Sequence, residues 1–362
     1  MSRWFAVVAC CAFVLAAVAL SACGDSGDDS SSGSTASAAA DTTTSDAGSG
    51  SGDPALSDAD TSGKTIGILS LAPISDIQTL VEQMQNRCAK DHGWTVKVAN
   101  ANGDPATAQN AVNQFIGSGV DAIYNIGFDY TALARQATDA RARDIPFVSA
   151  FANAPPGTLH LDPLNWESAV NQVQYMVDSL GGRGNVATIL SRTASPVIRI
   201  REQALTAVLR NYPDIRVVAR HELDLANAIP DSTSATQSIL QSNKDLDAMY
   251  IAYDDPAIGA IQAIDQAGRS DQIKVFSFNG QPNMLDQLRK EGSPAFSSAF
   301  IDLEAGTQAV CYLLQQSLAG EEIPETNLYV QEPLITRVNV PESGDPPGVP
   351  VITLSGGEVN VG

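Results

Sequence analysis

The sequence predicts an α/β protein whose folded part is two-lobed, each lobe a parallel sheet flanked by helices. Three observations predict it. Short apolar runs of the buried-strand type alternate with apolar stripes at three- and four-residue spacing from Lys64 to about Val340. The rhythm restarts at Asn185, so what repeats is a whole α/β half and not a short unit. Roughly three hundred residues is also too much for one compact core of this kind.

The chain opens on Arg3, an apolar run from Trp4 to Leu20, and then Leu20-Ser21-Ala22-Cys23-Gly24. A positive start, a short apolar core and a small-residue exit describe a secretory signal over residues 1–22. The run is short for a membrane span and a polar tract follows it. A Cys directly after Leu-Ser-Ala resembles the bacterial lipobox, so Cys23 is expected to be lipidated and to become the new N-terminus. The alternative is an incidental thiol beside an ordinary cleavage site. Residues 23–63 then read as a hydrated tether of Ser, Thr, Gly, Ala and Asp, with too little apolar surface to fold. The net charge is −20, of which −13 remains from Lys64 onward once the tether and signal are set aside. Such an acidic folded part argues against nucleic acid as a partner.

Thr65–Leu69 is the first strand, followed by a helix whose face carries Ile77, Leu80, Val81, Met84 and Cys88 and which stops at Gly93. Trp94–Val98 is the second strand. Asp104-Pro105 caps and starts the next helix, with its stripe at Ala108, Ala111, Val112, Phe115 and Ile116. Asp121–Ile126 and Ile145–Ser149 continue the alternation. Past Asn185–Leu190 come Ile215–Val218, Asp247–Ile251 and Ile273–Ser277, separated by helices bearing Ile200, Ala204 and Val208, then Ile239 and Leu240, then Ile258, Ile261 and Ile264. Open parallel sheets bind ligands beyond the carboxyl ends of their strands. Two such lobes facing each other make a cleft that closes by hinge motion.

Catalytic readings fare poorly. Asp254-Asp255 and Asp76 could flank a scissile bond, but Asp-Asp-Pro before Ala257 reads equally as a helix cap. His92, His160 and His221 are scattered, with no metal-ligand spacing and no serine-elbow motif near them. Gly182-x-Gly184-x-x-Ala187 leaves a helix for a strand, the wrong context for a dinucleotide loop. No enzyme activity, cofactor or metal is expected.

Several segments in order resemble the type I periplasmic binding proteins of the ribose-binding class. They are Val98-Ala99-Asn100-Ala101-Asn102-Gly103-Asp104-Pro105, Gly119–Ile123, Asp144-Ile145-Pro146, Gly182–Val186, Arg199-Ile200-Arg201, Asp254–Ala260 and Phe278-Asn279-Gly280. The resemblance covers about Lys64 to Val340 and implies three crossings between lobes. The first lobe would hold 64–161 plus 297–322, the second 162–296 plus 323–340, with 341–362 a C-terminal tail in which Val349 to Leu354 could add an edge strand. In that topology the first and last helices of the first lobe lie side by side, so Cys88 and Cys311 are a candidate disulfide.

The resemblance also implies a ligand site. Arg199 matches the Arg that sugar binders keep in the second lobe, where a guanidinium grips hydroxyls or a carboxylate. Asn279 stands where those proteins place an Asp after the last strand. Phe151, Tyr253 and Phe300 replace polar residues of the pattern, and Ser70, Asp76 and their neighbours occupy the loop where two aromatics are usual. Phe128 and Trp166 sit near cleft positions, and Asp254 completes the candidate set. The pocket is therefore expected to be more aromatic and less charged than a pentose site, with a sugar, nucleoside or other small ring compound as ligand. The implied role is ligand capture for an ABC importer permease, by a monomer tethered to the outer face of the cytoplasmic membrane. The alternative is a receptor that presents its ligand to a membrane sensor.

Overall fold

Thirteen strands in the described residues of the computed structural model fall into two sheets. The structure describes residues 59–154, 158–191, 195–323, 326–342 and 351–352. The signal, Cys23 and most of the expected tether lie outside the described residues. In the first sheet are β1 (Thr65–Ser70), β2 (Thr95–Asn100), β3 (Ala122–Ile126), β4 (Phe147–Ala150), β5 (Leu159–Pro163), β11 (Asn327–Val330) and β13 (Val351–Ile352), in the order β13-β11-β5-β4-β3-β1-β2. In the second are β6 (Gly184–Leu190), β7 (Ile215–Glu222), β8 (Ala248–Ile251), β9 (Lys274–Asn279), β10 (Ala295–Phe300) and β12 (Leu334–Thr336), in the order β12-β10-β9-β8-β6-β7. All pairings are parallel except β13 on β11 and β12 on β10.

Burial explains why these strands were legible. β3, β4 and β8 are buried at every residue, as central strands covered by helices on both faces must be. β2 and β7 are edge strands, and every second residue of β7 is exposed. Helices α1 (Ser75–Gln83), a π-helical turn at Met84–Cys88, α2 (Ala89–Asp91), α3 (Pro105–Gly117), α4 (Tyr130–Arg141) and α10 (Leu303–Ala319) cover the first sheet. Asp104 caps α3, accepting from Thr107 N at 2.6 Å, with Pro105 in the first turn. Phe115 of α3 lies directly over Gly67 of β1, where a Cβ would meet its Cγ at 2.7 Å, so only glycine lets that ring seat on the strand. Around the second sheet lie α5 (Asn165–Ser179), α6 (Pro196–Leu209), α7 (Ala228–Ser242), α8 (Asp254–Gln266) and α9 (Pro282–Arg289).

Cys88 and Cys311 form a disulfide with Cα atoms 5.9 Å apart, joining the π turn to α10. Thr307 of α10 donates to Gln83 at 2.6 Å one turn away. The sulfurs and a ring nitrogen of His92 lie within 4.8 Å of one another, but sulfurs bonded to each other offer no thiolate to a metal.

Three boundaries differ from expectation. Ser297–Phe300, expected in the first lobe, is the larger part of β10 and pairs with β9 in the second sheet, because a strand–helix–strand unit through α9 returns to its own sheet. The chain crosses only afterwards, at Ile301–Asp302. By the same rule α10 delivers Asn327–Val330 to β5 of the first sheet, not to the second lobe, and the last crossing lies between Val330 and Leu334. The folded part also starts before Lys64. Thr61 is buried, donates to Gln315 of α10 at 2.6 Å and accepts from the Trp94 indole at 3.1 Å, while Gln315 donates to the Ala59 carbonyl at 3.1 Å. The tail contributes Val351–Ile352 to the outer edge of the first sheet.

Candidate functional site

The carboxyl ends of β1, β3, β4, β6, β8, β9 and β10 bring loops and helix starts from both lobes to one seam. At the seam lies a pocket of about 70 Å³. Asp76 of α1, Arg201 of α6, Tyr253 after β8 and Asn279 at the end of β9 are its principal polar walls. Asn279, Ile301 and Leu303 also wall a wider groove of about 490 Å³, floored by Gly280, Phe300 and the first turn of α9. Gly280 is needed there. Its φ is +65° and a Cβ would stand 2.9 Å from Phe300 Cα.

The polar walls form one chain. Asn279 donates to Asp76 across the seam, and its carbonyl oxygen accepts from Arg201 Nη2 at 3.0 Å. Asn279 holds φ at +101°, a conformation that costs energy and aims the amide between lobes. Arg201 donates from Nη1 to the Ala252 carbonyl at 2.7 Å, stacks 4.2 Å above the Phe278 ring, and faces Glu332 of the third crossing at 3.7 Å. Burial lowers the Arg201 pKa, while Glu332, Asp76 and Asp254 oppose that and hold the proton on. Glu332 itself is pushed up by burial, against Arg201 and a hydrogen bond from Ser168. Asp162, near the carboxyl end of β5, is raised well above the usual carboxylate range by burial and by Glu332.

Three wall residues each keep a buried polar atom with no hydrogen-bond partner among the described residues: Asp76 Oδ1, Arg201 Nε and Tyr253 Oη. Buried polar groups are rarely left so, since each costs about 1–3 kcal/mol. All three residues line the same small pocket.

Burial pushes Asp76 up to about 7, with the Asn279 hydrogen bond opposing and Asp255 adding to the rise. Asp254 is likewise pushed to about 7 by burial. A carboxyl raised in the folded state stabilises fully below its unfolded pKa near 4 and loses that contribution as pH rises through about 7. Stability should thus fall by a few kcal/mol between about pH 4 and pH 7 from these two groups. In Asp76→Asn the fall should be shallower, as chemical denaturation across that range would measure; an unchanged slope would remove Asp76 from the account.

The sequence-predicted residues divide. Asp76, Phe151, Tyr253 and Asn279 stand on the pocket wall, and Phe300 on the outer groove. Phe151 holds φ at +55° with its ring against Gly306 of α10. Ser70 and Phe128 are buried beside the site but do not line it. Asp254 ties α8 to β9 and β10, accepting from the Ser277 and Ser298 hydroxyls and from Gln281 N at 2.7 Å. Trp166 is 50% exposed on α5 and lines no described pocket. Arg199 is also outside the pocket. It bridges the lobes at the rim, paired with Asp129.

The buried guanidinium is Arg201, two residues on. Positions two apart face opposite sides of a helix, and the buried face of α6 is Ile198, Arg201, Ala204 and Leu205, not the stripe begun at Ile200. A cation three residues from Ile198 and from Ala204 was the available signal. Aliphatic side chains dominate the wall, with Phe151 and Tyr253 as its rings.

Two lobes closing on a pocket of unpaired polar atoms define a ligand-binding protein. The family model for the periplasmic binding protein domain matches residues 68–322, and the chain belongs to that family. It is an extracytoplasmic solute-binding protein of the two-lobed type I fold, not an enzyme. Among curated relatives, a xylitol-binding protein of Mycolicibacterium smegmatis is 27% identical, over 80% of this chain and 81% of its own. A D-apiose import binding protein of Actinobacillus succinogenes is 25% identical, over 65% of this chain and 77% of its own. An ABC sugar transporter subunit from Rhodobacter sphaeroides superposes with a TM-score of 0.70 at 26% identity, covering 77% of this chain and 99% of that one. Among the described residues no helix is long and apolar enough to cross a membrane.

Proposed function

We propose that this chain captures a small sugar or polyol between its lobes and delivers it to an ABC importer. It works as a monomer held by a lipid on Cys23 at the outer face of the cytoplasmic membrane. The observation that carries the ligand reading is that three residues lining the seam pocket, Asp76, Arg201 and Tyr253, each keep a buried polar atom with no partner among the described residues. A hydroxyl both donates and accepts, so adjacent hydroxyls satisfy a mixed set of this kind. The names of the relatives above, which bind or import xylitol and D-apiose, support the class. The lipobox at Leu20–Cys23 supports the anchor.

Binding closes the cleft only to the extent that the ligand prefers the closed state. Ser75 donating to Asp255 at 2.6 Å, Asn279 to Asp76, and Arg199 pairing with Asp129 are the contacts between lobes that such closure would use. A thermal-shift screen of the full chain against pentoses, hexoses, polyols, nucleosides and aromatic acids tests the reading. A sugar or polyol at a hundred times its Kd should add about 2.7 kcal/mol and raise the midpoint by roughly 4 °C. Response to nucleosides or aromatic acids alone would reject the carbohydrate assignment.

A further inference from the structure

We infer that the cleft selects a ligand with two chemically different ends: hydroxyls at one, and a deoxy or alkyl-substituted carbon at the other. The inference rests on the proposed capture of a sugar or polyol and narrows its class. Asp76, Asn279 and Arg201 are joined by hydrogen bonds into a single cluster, which gathers the charged part of the wall in one place. Ser195 and the rings of Phe151 and Tyr253 also line the pocket, and the remaining side chains are aliphatic. Leu71 and Ile77 meet over Gly127, where a Cβ would touch both at 3.4–3.5 Å, and Leu80, Ile198, Ile301 and Leu303 extend the same surface.

Hydrogen-bonding capacity is correspondingly small. Three unpartnered buried atoms serve about two or three hydroxyls, whereas a pentose or hexitol carries more than that. A hydroxyl laid against Leu71, Ile77 or Leu303 loses water and gains no partner, which is unfavourable. A methyl in the same place removes apolar area from water on both sides and is favoured.

The test is calorimetric titration of the full chain with matched pairs that differ in one hydroxyl: D-ribose and 5-deoxy-D-ribose, D-galactose and 6-deoxy-D-galactose, ribitol and 1-deoxyribitol. In the pair containing the tightest binder, the deoxy compound should bind about tenfold tighter or more, equivalent to about 1.4 kcal/mol. Val197→Thr, a change of nearly equal shape at a half-buried wall position, should cut that preference about threefold or more while leaving the fold intact. A parent sugar that binds as tightly as its deoxy partner overturns the inference and leaves carbohydrate capture standing. If no member of any pair binds, carbohydrate capture itself fails and the inference falls with it.

Discussion

Arg201→Lys should weaken ligand binding about a hundredfold, whereas Arg199→Ala should change it by less than about threefold. The two arginines sit two residues apart on one helix, yet only Arg201 lies on the pocket wall. Its guanidinium serves Ala252, Asn279 and Phe278 at once and keeps Nε in reserve. Lysine restores the charge near Glu332 but replaces a rigid fork of donors with a single ammonium, so the lattice that positions Asn279 is lost. Arg201→Ala goes further. It strands Glu332, Asp76 and Asp162 without their nearest counter-charge and should cost about 3–5 kcal/mol of stability, the size expected when one partner of a buried charged network is removed. Arg199 is a third exposed, so its pairing with Asp129 contributes little in solvent. Calorimetry on the three variants, with denaturation curves beside it, distinguishes these roles. Full affinity in Arg201→Lys would contradict the assignment.

Reduction of the disulfide, or the double change Cys88→Ala with Cys311→Ala, should remove about 3–5 kcal/mol and lower the melting midpoint by about 5–8 °C. The bond spans 223 residues, so it closes nearly the whole folded chain into one loop and restricts the unfolded ensemble strongly. It joins helices on the outside of the first lobe, and neither cysteine stands on the pocket wall. Ligand affinity at low temperature should therefore change little. A midpoint indifferent to reductant would show that the bond contributes nothing to stability.

Much of the fold was legible because parallel strands covered on both faces become near-continuous apolar runs, as in Ala248–Ile251 and in Ala122–Ile126, interrupted at Asn125. The cap at Asp104-Pro105 and the helix stop before Gly93 were legible for similar local reasons. Sheet membership was not. Ala295–Phe300 and Asn327–Val330 are short mixed runs whose composition does not say which sheet they join; that depends on the helix delivering them. Site residues failed where a choice turned on helix phase. Arg199 and Arg201 differ by a rotation of two residues, and the apolar stripe in that helix admits either reading until its buried face is seen. Asp76 and Asn279 were found as positions, but their joining across the seam is a tertiary fact with no local signature. Glu332 lies in a crossing and Leu303 opens the helix that follows one, and these are the least patterned stretches of the chain.

The most direct test of the central claim is a crystal structure of the chain with its tightest-binding sugar or polyol. The ligand should lie at the seam with hydroxyls within hydrogen-bond reach of Asp76 Oδ1, Arg201 Nε and Tyr253 Oη. A ligand bound elsewhere, with those three atoms still unpartnered, would contradict the account.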